Sequence, residues 1–207
     1  MAWVVHNAEE NAIVTEISRQ RDRVAALMAA AMLEKKLEDA FKALIPIRSE
    51  TVENRVFEGY GPLGSFAAKI DLGYLLGMFD AKTHKWLHTI KKIRNEFAHN
   101  PAKVTFKTQR IIDLCNNFPP PTPRRVPKLT KERFDEAKSR HNAIELVSMM
   151  TDSCLAGPNN SRTRYLGTVK LCLFLLEFAL VSALNQMVSA NNERVQEQGG
   201  SEPPTSH

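Results

Sequence analysis

No Gly or Pro interrupts the chain from residue 11 to residue 44, and Ala, Leu, Met, Glu, Lys and Arg dominate that stretch. Residues of this kind lose the least on entering a helix, so the pattern predicts one long helix over 11–44. Pro46 ends it, because proline cannot continue the hydrogen-bond ladder. Leu33, Leu37, Phe41 and Leu44 make an apolar stripe at i, i+4, i+8 and i+11, and Ile13, Ile17, Val24 and Leu27 make a looser one nearer the start. A helix of this length with two stripes needs partners on more than one flank.

The rest of the chain reads the same way. After the Gly/Pro turn GYGPLG at 59–64, a helix is expected over 65–76, with Phe66, Ile70 and Tyr74 on one face. Asp80 is placed to cap the next helix, over 81–99, whose Trp86, Ile90, Ile93 and Phe97 repeat at helical spacing. Asn100-Pro101 stops it, since the residue before proline is pushed out of the helical region. A shorter helix over 107–117 carries Ile111, Leu114, Cys115 and Phe118.

Beyond it, FPPPTPRRVPK reads as an extended connector. A helix over 130–151 capped by Thr130, a Gly-Pro-Asn-Asn loop and a final helix over 164–191 follow. No alternating β pattern and no internal repeat is present. The expected fold is an all-α bundle of six or seven helices. Its expected divisions are a helical core at 1–118, the proline-rich connector at 119–129, a C-terminal helical pair at 130–195 packing on the core or on a partner subunit, and a disordered tail at 196–207.

Composition sets the broad class. The chain has 207 residues, 43% hydrophobic and 25% charged, with a formal net charge of +5. That is enough to bury a core without staples. Cys115, Cys154 and Cys172 are odd in number and far apart, which makes neither a disulfide framework nor a zinc site. The opening residues, MAWVVHNAEEN, lack the basic and apolar regions of a secretory signal, so the chain is expected in the cytoplasm. The apolar run LCLFLLEFALVSAL at 171–184 is short for a membrane span and carries Glu177 at its middle, so it reads as a buried helix.

The positive charge is unevenly placed. Residues 1–80 net −3 and residues 111–207 net +1, while residues 81–110 carry eight basic side chains and one acidic one, Glu96, for a net +7. The whole excess therefore sits on thirty residues, which selects acidic partners for that segment.

Catalytic constellations are scarce. There is no phosphate-binding glycine loop, G-x-S-x-G or H-E-x-x-H. His84 and His88 share a helix face at i, i+4, but no carboxylate or cysteine accompanies them at ligand spacing, so no metal and no cofactor are expected. The remaining string is Ile93-Arg94-Asn95-Glu96-Phe97-Ala98-His99. Asn95 and His99 are four apart and share a face, and Arg94 lies on a neighbouring one. His99 falls in the last turn, where the helix dipole favours a charged imidazole that exchanges protons at working pH. Arg94 has the fork geometry to hold a phosphate. In a catalytic reading this string supports metal-independent RNA cleavage, with Lys91, Lys92, Lys103, Lys107 and Arg110 tracking the phosphate backbone. In a structural reading Arg94 pairs with a carboxylate, Asn95 and His99 cap the helix, and the lysines are a solvated face.

Two resemblances bear on the choice. The blocks GPLGSFAAKIDLGYLLGMFD (61–80), IKKIRNEFAHNP (90–101) and VTFKTQRIIDLCNNF (104–118), in that order, resemble the core of the mannitol operon repressor-like (MltR-like) family. That resemblance implies an all-α protein associated with transcriptional regulation but without an evident DNA-reading helix. The R-N-x3-H string is also similar to the signature of HEPN domains, helical bundles that often dimerise with their Arg/His pairs facing each other. Many of these are RNases of toxin or defence systems, and others only bind partners. Under that resemblance Arg94, Asn95 and His99 are the matching positions. The leading expectation is a regulatory or interaction protein, a helical homodimer whose basic face meets an acidic protein or a nucleic acid such as RNA. The alternative is a HEPN-type endoribonuclease using Arg94 and His99.

Overall fold

The structure is a computed structural model that describes residues 8–47, 49–122 and 143–199. Eight helices are described: α1 (Ala8–Arg19), α2 (Asp22–Leu44), α3 (Glu50–Phe57), α4 (Phe66–Leu75), α5 (Ala81–His99), α6 (Gln109–Cys115), α7 (Ala143–Leu155) and α8 (Ser161–Gly199). The only β pairing among the described residues is one isolated bridge, Thr122 to Ala156. The all-α expectation is met.

The expected single helix over 11–44 is two. Arg21 takes an extended backbone, φ −63° and ψ 155°, and α2 restarts at Asp22. No Gly or Pro marks the break, and the side chain that bridges it comes from 140 residues away. Arg162, near the start of α8, donates to the carbonyls of Ser18 and Gln20 at the end of α1 and pairs with the Asp22 carboxylate. Its guanidinium also lies 5.8 Å from the Phe106 ring centroid. The second Asp22 oxygen accepts from the Phe106 N–H at 3.0 Å. These contacts give partners to carbonyls that the end of α1 leaves without an intrahelical donor.

The buried face of α2 also differs from the expected early stripe. Val24 is exposed and Leu27 only partly buried, while Ala25, Ala26, Ala29 and Ala30 are fully buried. Small side chains let α8 approach closely. The Tyr165 hydroxyl donates to the Ala26 carbonyl at 2.8 Å, and burial pushes its phenol well above the usual range. Further along, Leu33, Leu37 and Phe41 are buried as the stripe requires. Helix α8 packs against α2, α5, α6 and α7, so the C-terminal helices complete the core of the same bundle.

Ser65 caps α4 by accepting from the Ala68 N–H at 3.1 Å, Asp80 caps α5 by accepting from the Thr83 N–H at 2.8 Å, and the Asn160 side chain caps α8 by accepting from the Thr163 N–H at 2.9 Å. On α5, Trp86, Ile90, Ile93 and Phe97 are all buried. Helix α3 is additional to the expected elements. Eight residues are too few for a periodic stripe, although Glu50 and Glu53 in its first turn and Arg55 in its last suit the helix dipole.

Pro120 and Thr122 belong to the expected connector. Its described end docks on α7 through Thr122, whose hydroxyl donates to the Asp152 carbonyl at 2.9 Å. Residues 123–129, and most of the expected helix over 130–151, lie outside the described residues. The final helix extends to Gly199, four residues into the stretch expected as a tail. Ser161–Ser189 is long and apolar enough, by length and composition, to cross a membrane. In this fold Tyr165, Val169, Cys172, Leu173 and Leu176 of that segment are core, and Glu177 is paired with Lys36.

Candidate functional site

The fold sets α5 with its apolar side in the bundle and a polar side facing out. At about 100° per residue, His84, His88, Lys91, Lys92, Asn95 and His99 fall within a sector of roughly 100° on the outer side. Helices α4, α2 and α6 flank it.

The R-N-x3-H string occupies the C-terminal end of this face. His99 is exposed and has no hydrogen-bond partner among the described residues. Arg94 lies about 140° around the helix from His99. Its Nη1 donates to Asn95 Oδ1 at 3.2 Å, and its Nη2 sits 4.0 Å from Glu34 on α2. Glu34 is in turn 3.8 Å from Lys69, which is 2.8 Å from Glu38, itself bound by Lys42 at 2.8 Å. Arg94 therefore stands at the end of an ionic row that ties α2 to α4 and α5. Both alternatives from the sequence appear in part: Arg94 has a carboxylate neighbour, yet His99 does not cap the helix.

Beyond the helix, the Arg23 guanidinium donates to the carbonyls of Asn100 and Ala102 at 2.9 and 3.1 Å. This pins the turn that follows His99. Among the expected backbone-tracking residues, Lys92, Lys103 and Lys107 are exposed and Lys91 is half-buried, with no ion-pair partner among the described residues. Arg110 is different. Its Nε pairs with Glu96, the one acidic residue of the segment, across α5 and α6. Lys103 also lines an open cavity of about 580 Å³ with Arg21, Asp22, Arg23 and the 101–105 turn.

At the other end of the face the structure adds a residue that the sequence reading missed. Asp71 of α4 meets both His84 and His88: each Nε2 lies 2.8 Å from the same oxygen, Oδ1, and the two Nε2 atoms lie 3.2 Å apart. With Nε2 as the protonated nitrogen, both imidazoles donate to that oxygen. These hydrogen bonds hold the Asp71 carboxyl below the usual carboxylate range. The Tyr74 ring packs with its centroid 4.7 Å from that of the His84 ring. The expectation that no carboxylate accompanies the two histidines is corrected here. Asp71 is 13 and 17 residues away in sequence, and only the packing of α4 on α5 brings it in.

A large apolar groove lies near the first turn of α5. It has a volume of about 890 Å³ and lies between the C-terminal ends of α2, α3 and α4 and the distal half of α8. Met78 is part of its wall, and Phe178 of α8 lines it while remaining 52% exposed. Val181, Met187 and Val188 of α8 are exposed as well, with Met187 on the edge of the groove and Val181 and Val188 on the other side of the helix.

The chain superposes on MtlR in the X-ray structure of the MtlR–HPr complex from Escherichia coli, with a TM-score of 0.53 and 17% identity over 82% of this chain and 99% of that one. The fold is that of MtlR. A crystal structure described as a possible transcriptional regulator, YggD from Shigella flexneri, aligns with a TM-score of 0.44 and 15% identity over 86% of this chain and 97% of that one. No protein-family model matches the sequence, and no curated protein matches it.

Proposed function

We propose that this chain is a cytoplasmic regulatory protein that acts by docking an acidic protein on the outer face of α5. The observation that carries the proposal is the likeness of nearly the whole fold to MtlR, a protein seen in complex with another protein, HPr. The charge of this chain agrees with it: Lys91, Lys92, Lys103 and Lys107 leave an unneutralised positive surface on and just beyond α5. Complementary charge of this kind raises the rate of encounter and selects partners.

The chain acts as a homodimer held through the apolar groove beside distal α8. Phe178 and Met187, both on the edge of the groove, are about half exposed, an apolar surface of the kind that marks an interface. Such a dimer bears on the catalytic alternative. Met78 lines the groove, whereas His99 lies at the opposite end of α5, about 27 Å along the helix axis. A seam at the groove does not bring two Arg94/His99 pairs together, which favours docking over an RNase built across a dimer.

One observation favours the second reading, a HEPN-type metal-independent endoribonuclease. His99 is exposed and unengaged, one turn from the Arg94–Asn95 pair, and so is open to a phosphodiester.

Incubation of the purified chain with mixed RNA in EDTA, beside Arg94→Ala and His99→Ala, separates the two. No cleavage, together with salt-sensitive binding to an acidic protein that is lost on Lys91→Glu/Lys92→Glu, is the expected result. Cleavage by the parent and by neither variant replaces docking with the nuclease. Salt-sensitive binding to RNA without cleavage reassigns the partner. Light scattering that gives a monomer at micromolar concentration removes the dimer.

A further inference from the structure

The Asp71, His84 and His88 cluster has the make-up of a metal centre. Its three ligand atoms, one carboxylate oxygen and two imidazole nitrogens, lie 2.8 to 3.2 Å from one another. They come from two packed helices whose register is held by buried side chains on either side, Phe66 and Ile70 on α4 and Leu87 and Ile90 on α5. Sites carried on helices hold their geometry better than sites on loops.

We propose that this cluster binds one divalent transition-metal ion of the zinc class, through Asp71 Oδ1 and the Nε2 atoms of His84 and His88. In a tetrahedral site with zinc to ligand bonds of about 2.0–2.2 Å, neighbouring ligand atoms stand about 3.3–3.5 Å apart. The separation of 3.2 Å between the two imidazole nitrogens is already close to that edge, and the two separations of 2.8 Å need to open by about half an ångström. Small χ changes of the exposed Asp71 side chain supply that movement. Each ring gives up its Nε2 proton and carries one on its Nδ1 instead, so the ion meets two neutral imidazoles and one carboxylate. Imidazole with carboxylate selects zinc, nickel, cobalt or copper over magnesium and calcium, which prefer all-oxygen sets.

The remaining coordination position faces solvent. Asp71 is 56% exposed and the two histidine side chains are about a quarter exposed. The centre is therefore an open one, with room for water or for a ligand from outside. It shares the outer face of α5 with Lys91, Lys92 and His99, about 16 Å along the helix from His88 to His99. The cysteines do not compete for the ion. Burial pushes the thiols of Cys115 and Cys154 up to about 12 and raises that of Cys172 as well, so all three stay protonated inside the core.

The test uses the full chain with any affinity tag removed, stripped with a chelator and dialysed. Zinc chloride is titrated by calorimetry, and metal content is measured after gel filtration. Cobalt chloride follows in a second titration read by visible absorption, whose band intensity reports coordination geometry. One equivalent of zinc per chain with micromolar affinity is expected, and Asp71→Asn, His84→Ala and His88→Ala each weaken it by at least about tenfold. Asp71→Asn keeps the size of the side chain and a hydrogen-bond acceptor, so its circular dichroism matches the parent and loss of metal there is not loss of fold. The proposal is overturned if zinc at about 100 μM gives no uptake, or if uptake survives unchanged in all three variants. It stands or falls independently of the docking partner, because no partner is present in the titration.

Discussion

Replacing Arg162 by Ala removes the side chain that holds the junction between α1 and α2. Its guanidinium pairs with Asp22, donates to the carbonyls of Ser18 and Gln20, and lies 5.8 Å from the Phe106 ring. The Arg162 and Asp22 side chains are 26% and 29% exposed, so the ion pair is discounted for solvent to about 1 kcal/mol. The two carbonyl bonds contribute about 0.5 kcal/mol each, and the ring contact about the same. Arg162→Ala should therefore cost about 2.5 kcal/mol. For a chain of this size each kcal/mol moves Tm by about 2–4 °C, which predicts a fall of roughly 5–10 °C.

Arg162→Lys keeps the charge but loses the fork, and should recover less than half of that loss. Asp22→Ala breaks the same ion pair and the bond from the Phe106 N–H, so the double variant should cost about 1 kcal/mol less than the two single losses together. Thermal melts followed by far-ultraviolet circular dichroism on the parent, the two single alanine variants, the double variant and Arg162→Lys form the complete set. If Arg162→Ala melts within about 1 °C of the parent, or the two losses simply add, then local sequence sets the junction and the long-range argument is wrong.

Four further outcomes follow from the geometry. Burial pushes the Glu38 carboxyl up, but hydrogen bonds from Lys42 and Lys69 outweigh it and leave it below its usual value. A depressed folded value means stability that is present above the unfolded value near pH 4.3 and is lost as pH falls through the folded one, so Glu38→Gln should flatten the acid limb of the stability curve. An unchanged acid limb refutes this. All three cysteines are buried, so a thiol reagent at pH 8 should find almost none in the native chain and three in guanidinium, and rapid reaction of one native equivalent contradicts the packing. A Cβ on Gly73 would lie 2.7 Å and 2.9 Å from Phe79 ring atoms. Gly73→Ala should therefore lose about 1 kcal/mol net, since overpacking by about 2 kcal/mol exceeds a helix-propensity gain of about 1, and a raised Tm would show that Phe79 moves freely. Tyr165→Phe should cost about 1 kcal/mol by leaving the Ala26 carbonyl without its hydroxyl donor, and a melt identical to the parent would remove that bond from the account.

The candidate site was legible in unequal parts. Arg94, Asn95 and His99 stand out as a string because their spacing is local, and the helix geometry that orders them is a property of any α5. Their partners are not local. Glu34 reaches Arg94 from α2 and Arg110 removes Glu96 from the field, both through contacts that no short spacing encodes. The charge count of +7 over residues 81–110 treats Arg110 and the free lysines alike, whereas in the fold the ion pair sets Arg110 apart. Asp71 was invisible as a ligand for the same reason. A metal set split between two helices has a separation fixed by how the helices cross, and the two histidines alone are an ordinary i, i+4 pair.

Elements with strong internal signals came directly from the chain. Trp86, Ile90, Ile93 and Phe97 define the buried side of α5, Asp80 starts it, and Asn100-Pro101 ends it, each through forces acting within about four residues. The all-α class follows from the same local terms summed along the chain. Where local preference is nearly even, tertiary contacts decide. A run without Gly or Pro at 11–44 favours helix throughout, yet the tertiary bonds of Arg162 and Asp22 accompany the two non-helical residues at 20 and 21. The alanine face of α2 becomes the seat of α8 because small side chains permit close approach, a preference visible only once α8 is there. Sequence thus determined the all-α class and the helices with strong internal signals, and packing determined where a helix breaks, which face of α2 is buried, which charges remain free and which side chains meet at Asp71.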